Sequence, residues 1–360
     1  MRLLSRNAEA LFWLARYLER GASLARVIEM QSSFGGHDND AGWSWLLTLH
    51  TDEPRFRERF EPSSPGRSGA GPDASADAII AFYVNDAANP GSIRSSIRWA
   101  RENARALRPF IPLDMWTQLN TFHGLIEEIG ADDIQRSQLP RTCSRIRAGC
   151  LAQIGVAEGL LYRDEGYQFF KLGLMIERAD QTSRLLDVKF ARGPGSGATA
   201  ARAADPADDF LFWSTILRTV GAYQVFHRLE PASADPERVA RFLAFNPSHP
   251  RSIGFCAREI GDALQMLRSG FRLSKSNACL EACEVLMEGL QAAGRDAELL
   301  GRLHGFNDWV QQALIGLTAE IGKAFFRAPE PVRPAAAPEP ELPKKKLKKS
   351  KGQTQGQTQS

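Results

Sequence analysis

Along most of the chain apolar residues recur at steps of three and four, and alternating β-branched segments are scarce, so the pattern predicts helices throughout. The first run shows it well: Leu11, Leu14, Leu18, Ala22 and Ala25 form one stripe, with Ser5 placed before it as a cap. Gly/Pro-rich stretches at 61–72, at 192–206 and from Pro329 onward interrupt these runs. The fold class that follows is all-α.

Sliding the sequence against itself brings three motifs into register. At an offset of 158, Phe12, Glu19, Arg20 and Arg26 fall on Phe170, Glu177, Arg178 and Arg184. At an offset of 170, Trp43, Ser44 and Phe56 fall on Trp213, Ser214 and Phe226. At an offset of 157, Asn89, Pro90, Arg94, Arg101 and Glu102 fall on Asn246, Pro247, Arg251, Arg258 and Glu259. The common order predicts two tandem, diverged helical-bundle repeats, over 1–150 and 151–327, followed by a Pro/Lys-rich tail over 328–360. Asn-Pro is expected to open a helix in each repeat, because asparagine caps free N–H groups and proline suits the first turn. The tail is too low in complexity to bury an ordering core, and disorder is expected of it.

Composition changes this picture little. A chain with 43% hydrophobic and 24% charged residues is that of a globular protein, and no stretch approaches the ~18 uninterrupted apolar residues of a membrane span. Glu9, Arg16 and Glu19 break the apolar start at helical spacing, which predicts an amphipathic helix rather than a cleaved leader. The five cysteines are irregularly spaced and lack CxxC, so a reducing, cytoplasmic setting is expected; Cys279 and Cys283 share a helix face and read as small buried residues. The net charge of +3 divides unevenly: Arg333 and six lysines against three glutamates give the tail +4, leaving −1 for the body. A basic nucleic-acid surface on the body is therefore not supported, and the tail's KKKLKK run reads as a solubilising end before it reads as a nucleic-acid contact.

The sequence nominates no nucleophile, cofactor loop or metal set: it has no phosphate loop, no dinucleotide fingerprint, no Gly-x-Ser-x-Gly elbow and no Glu-x-x-His pair. His123 and Glu127, one helical turn apart, read as a surface contact. What remains is the repeated pair of columns Phe12/Glu19/Arg26 and Phe170/Glu177/Arg184. Residues seven apart share a helix face but stand about 10.5 Å apart along the axis, so Glu19 is expected to look to another helix or a ligand, with Arg16 its available neighbour. Position 174 is leucine where Arg16 would repeat, so Glu177 is expected to reach further. Three readings follow: ion pairs bridging helices across a pseudo-two-fold axis, a shared polar cleft gripping an anionic or amino-acid-like ligand, or a docking surface for a protein partner.

The stretch RNAEALFWLARYLERGASLAR, with NPGSIRSSIRWARENARALR, YRDEGYQFFKLGLMIERADQTSRLLD and NPSHPRSI, resembles the alpha-E family of bacterial helical proteins over about 1–327, Glu19-Arg20 standing for its Glu-Arg motif. The family pattern has Gly-Arg where this chain has Gly173-Leu174, and the insert at 61–72 is a further departure. The resemblance implies association with circularly permuted ATP-grasp and transglutaminase-like proteins in peptide synthesis or modification, as an accessory or substrate-binding subunit; no cofactor or metal is expected from the residues. The alternatives are a stand-alone enzyme using Glu19 and Glu177 as acid/base groups, and nucleic-acid binding through the tail. Arg163 and Asp164 of the YRDEGYQFF segment, with Arg101, Glu102 and Arg258, complete the set of ligand or interface candidates headed by Arg16, Glu19, Arg20, Arg26, Glu177, Arg178 and Arg184.

Overall fold

The structure is a computed structural model, described over residues 3–34, 43–60, 75–191, 206–230 and 235–326; every regular element among these is helical. The expected disorder of the tail and the Gly/Pro inserts at 61–72 and 192–205 lie outside the described residues. The first half holds α1 (Ser5–Phe34), α2 (Trp45–His50), α3 (Glu53–Phe60), α4 (Ala76–Val84), α5 (Ile93–Ala106), α6 (Leu113–Glu127) and α7 (Leu139–Leu160). The second holds α8 (Glu165–Ala191), α9 (Pro206–Thr219), α10 (Tyr223–Leu229), α11 (Pro236–Phe245), α12 (Ile253–Gln265), α13 (Asn277–Gly294) and α14 (Leu303–Phe325). Met1–Arg327 form one compact unit, and the boundary expected at 150/151 falls inside α7.

Two long helices sit at the centre because they are apolar on more than one face. In α1 the stripe Leu11, Leu14, Leu18, Ala22 and Ala25 is buried, and so are Phe12, Leu24 and Val27 on its other faces. α1 packs against α5, α7 and α8, while α8 packs in turn against α12 and α14; with α6 between α5 and α7 and α13 between α12 and α14, each half contains a four-helix bundle, and the two bundles meet along α1 and α8. α2 crosses over to touch α8, and α9 crosses to touch α1. The approach of the central pair depends on Gly173: a Cβ there would fall on the Phe12 carbonyl, 2.9 Å from its carbon. All five cysteines are buried and free, Cys279 and Cys283 among them.

The turns before α5 and α12 correct the expected helix openings. Ser92 and Ser252, in extended backbone, are the caps, their Oγ accepting from Ser95 N at 3.1 Å and Phe255 N at 3.0 Å. The same hydroxyls donate back to the carbonyls of Asp86 and Asn246, whose side chains accept from Ala88 N and Ser248 N, each at 2.9 Å. These matched bonds pair Ser92 with Ser252, an offset of 160 rather than 157, and set Gly91 rather than Arg94 opposite Arg251. The asparagines stand earlier in the turn, because a serine with β backbone is equally able to satisfy the first free N–H groups while Asn or Asp closes the turn ahead of it. At the same offset Phe82 stands opposite Phe242, and each meets a partner edge-on at 5.4 Å, Phe56 in the first half and Phe226 in the second. Burial repeats as well: Leu139, Cys143, Ile146, Cys150 and Ala157 of α7 match Leu303, Asn307, Val310, Leu314 and Ile321 of α14.

Candidate functional site

Glu19 and Glu177 lie at the middle of the α1–α8 contact, both fully buried. Each takes the arginine of the other's Glu-Arg pair. Arg20 grips Glu177 in a bidentate way, Nε to Oε1 at 2.7 Å and Nη2 to Oε2 at 3.0 Å. Arg178 returns the contact, with Nε and Nη2 at 3.3 and 3.1 Å from Glu19 Oε2. A helix places consecutive residues about 100° apart, so a carboxylate aimed at the facing helix leaves the next residue free to reach around it. Two such pairs, facing each other, close reciprocally.

The remaining partners differ between the halves. Arg16 donates through Nε to Glu177 Oε2 at 2.7 Å, so it serves the opposite glutamate and not Glu19, as its spacing had predicted. Leu174 takes no part in the corresponding position and is buried. Its place is supplied by Arg251 from the turn before α12, whose Nη1 lies 2.5 Å from Glu19 Oε1. Arg26 corrects the expectation that seven residues is too far: its Nη1 comes within 3.7 Å of Glu19 Oε1, an ion pair without a hydrogen bond. Arg184 does not repeat this; it pairs with Asp180 one turn away, Nε to Oδ2 at 2.9 Å, and donates to the Leu49 carbonyl at 3.1 Å.

Burial alone would raise both carboxyls, but Arg251, Arg178 and Arg26 overcome it at Glu19 and hold it down at about 2. Burial is likewise outweighed at Glu177 by Arg20 and Arg16, which hold that carboxyl well below its ordinary range. A general acid or base working near neutrality needs a pKa moved the other way. The two groups are enclosed, saturated counter-ions.

A cavity of about 290 Å³ opens beside Glu177, between α1, α2, α8 and the turn before α5. It is lined by the carboxylates Asp52, Glu177 and Asp180, the guanidiniums Arg20, Arg55 and Arg184, and by His50, Tyr83 and Gly91. Tyr83 donates to Asp52 Oδ2 at 3.2 Å and to the Leu46 carbonyl at 3.1 Å, and Arg55 pairs with Asp52 Oδ1. His50 is partly buried; its Nε2 is sealed from solvent and makes no hydrogen bond. Burial, then Arg184 and Arg20, push its imidazole down to about 3, so it is neutral at physiological pH. Sequence reasoning passed over His50, Asp52, Tyr83 and Asp180, which have no polar counterpart in the other half, and over Arg251 as a partner of Glu19. A second cavity of about 210 Å³, lined by Arg26, Glu29, Arg147 and Arg218, lies toward the end of α1.

The other candidates do not join this site. Asp164 caps α8, accepting from Gly166 N at 2.8 Å, and Arg163 pairs with Glu158 at 3.1 Å and lies over the Tyr167 ring. Arg101 binds Asn120 and Glu102 at 2.8 and 2.9 Å, and Arg258 stands half-exposed over Phe255. His123 lies 3.6 Å from Glu127, whose closer partner is Arg94. Among the described residues one trio has metal-ligand proximity, Asp187, His304 and Asp308, on the surface. Its closest contact is a histidine–carboxylate hydrogen bond, His304 Nδ1 standing 2.9 Å from Asp187 Oδ1.

Folding is expected to weaken on acidification in two stages. His50 and His249 are depressed from an ordinary 6.5 to about 3 and about 4, so the unfolded chain takes up those protons first and stability falls once pH drops below about 6.5. Glu19, depressed from 4.5 to about 2, contributes stability that is complete above pH 4.5 and is lost as pH falls through that interval. Each group adds a slope of about 1.4 kcal/mol per pH unit inside its own window. Urea unfolding from pH 8 to pH 4 should show the upper stage, and His50→Val should remove roughly half of it; an unchanged slope in that variant would contradict the assignment.

Residues 3–326 match a family described as a predicted alpha-helical domain with a conserved ER motif. No match is found among curated proteins or among solved structures. Among the described residues no helix is long and apolar enough to cross a membrane.

Proposed function

The chain belongs to the Alpha-E family, and from that premise we propose that it is a non-catalytic, substrate-binding or accessory helical protein working with an ATP-grasp ligase, a transglutaminase-like protein, or both, in peptide synthesis or modification. The observation that carries the non-catalytic part is the saturation of Glu19 and Glu177: both are fully buried, both are gripped by arginines from the opposite helix, and both carboxyls are pulled down. The Glu-Arg motif then acts as a clamp joining two bundles, and the cavity beside it is what a substrate meets. The partners are those the family resemblance implies.

The same reading takes the chain as a bacterial, cytoplasmic product of internal duplication. Support for duplication comes from the common helix order, the matched serine caps, the two edge-on phenylalanine pairs and the reciprocal clamp. Support for a reducing compartment comes from five free, buried cysteines.

Affinity capture of the tagged full chain from its native cells tests the partnership. Enrichment of an ATP-grasp or transglutaminase-like protein over an unrelated tagged control is the expected result. Enrichment of neither would overturn it.

A further inference from the structure

We propose that the cavity between α2, α8 and the turn before α5 is a binding site for a free α-amino acid, and that the second half of the chain has lost or never had its counterpart. This rests on the reading of the protein as a substrate-binding module, and it adds the place, the number of sites and the ligand class.

The equivalent positions of the second half carry other residues. Opposite His50, Asp52 and Arg55 are Val220, Ala222 and Val225; opposite Asp180 and Tyr83 are Ala22 and Leu243. Opposite Gly91 is Arg251, whose side chain runs into the corresponding space and ends on Glu19. That space, lined by Arg251, Val220 and Arg26, has shrunk to about 20 Å³ against about 290 Å³ in the first half. The second half therefore has apolar residues at the five positions matching His50, Asp52, Arg55, Tyr83 and Asp180, and fills the space from the turn with Arg251. Asp52, Arg55, Tyr83, Asp180 and Arg184 pair among themselves, but ion pairs of this kind add little net stability over apolar residues, so a set that the fold does without in one half stands in the other for something besides folding.

The chemistry of the lining selects the ligand. Three carboxylates and three guanidiniums line the cavity as neighbouring pairs, Asp52 with Arg55, Asp180 with Arg184 and Glu177 with Arg20. A ligand of one sign would sit against three like charges, whereas an α-amino acid brings both signs in one small body. Its carboxylate suits Arg20, which keeps Nη1 free of any hydrogen bond among the described residues while Nε and Nη2 hold Glu177, and suits the half-exposed Arg55. Its ammonium suits Asp180 and Asp52. His50 completes the lining beside them. The volume lies at the small end of ligand pockets, which run from about 300 Å³ upward for larger molecules.

The test uses the full chain and the twenty L-amino acids singly at millimolar concentration, read by the shift in thermal unfolding midpoint and then by calorimetric titration. At least one amino acid is expected to raise the midpoint in a dose-dependent way. Its N-acetyl and carboxamide derivatives, each lacking one charge, should bind at least tenfold more weakly. Gly91→Arg, which installs the plug of the second half, should abolish the shift. Because a new arginine can disturb folding, the paired substitution His50→Val with Asp52→Ala, copying residues that the second half already tolerates, is the second variant and should also abolish it. No shift with any amino acid on the wild type, equal binding of the charge-deleted derivatives, or wild-type binding by the paired variant would each overturn the proposal. Failure of partner capture with amino-acid binding intact would leave this site standing and remove only the ligase association; capture without binding would do the reverse.

Discussion

Glu177→Ala is expected to destabilise the fold by about 3–5 kcal/mol, the cost of leaving a buried charge partner uncompensated. Arg16 and Arg20 both lose their acceptor, and Arg16 is 12% exposed, with little water to replace it. Against a total stability of about 5–15 kcal/mol for a protein domain, such a loss leaves a minor margin. Glu177→Gln should cost less, since the amide oxygen still accepts from one guanidinium, and Glu19→Ala should resemble Glu177→Ala because Arg178, Arg251 and Arg26 all converge on it. Urea unfolding at pH 7.5 measures each directly. A change below about 1 kcal/mol for Glu177→Ala, the range of exposed ion pairs, would show that the network is solvated and that the enclosed clamp does not exist.

Gly173→Ala is expected to be the most damaging small substitution in the helices. One methyl group would lie on the backbone of Phe12, which unlike a side chain cannot rotate away, so α1 and α8 must separate along the whole contact. Overpacking in a rigid core typically costs about 1–3 kcal/mol and occasionally more, and a backbone clash belongs at the upper end, about 3 kcal/mol. The contrast is Gly155→Ala in α7, where a Cβ meets nothing within 4 Å. There the better helix propensity of alanine should raise stability by about 0.5–1 kcal/mol. Equal effects from the two substitutions would contradict the close crossing at Gly173.

The fold class was legible because helix spacing and Gly/Pro punctuation point one way along the whole chain. Glu19, Arg20, Glu177 and Arg178 were legible as a repeated pair, and bridging across a pseudo-two-fold axis was among the readings they allowed. Their exchange of partners was not, because a repeat reports similarity and not which copy a side chain faces. Arg251 was hidden by a three-residue error in register: set opposite Arg94 it looked like an ordinary repeated arginine, whereas Arg94 binds Glu127 at 3.0 Å on the surface and Arg251 reaches Glu19. The serine caps would have set the register, since Ser-Ile begins α5 and α12 alike. His50, Asp52, Tyr83 and Asp180 carried a fainter signal, a polar residue in one half where the other has Val220, Ala222, Leu243 and Ala22. The cavity is built largely from the places where the halves differ.

The reciprocal clamp is tested most directly by two double-mutant cycles on unfolding free energy, Arg20→Ala with Glu177→Ala and Arg178→Ala with Glu19→Ala. The clamp predicts that each double variant is less destabilised than the sum of its singles, with a coupling of about 2–3 kcal/mol at Arg20–Glu177 and a smaller one at Arg178–Glu19, where Arg251 and Arg26 share the carboxylate. Additivity within about 0.5 kcal/mol in both cycles would contradict it.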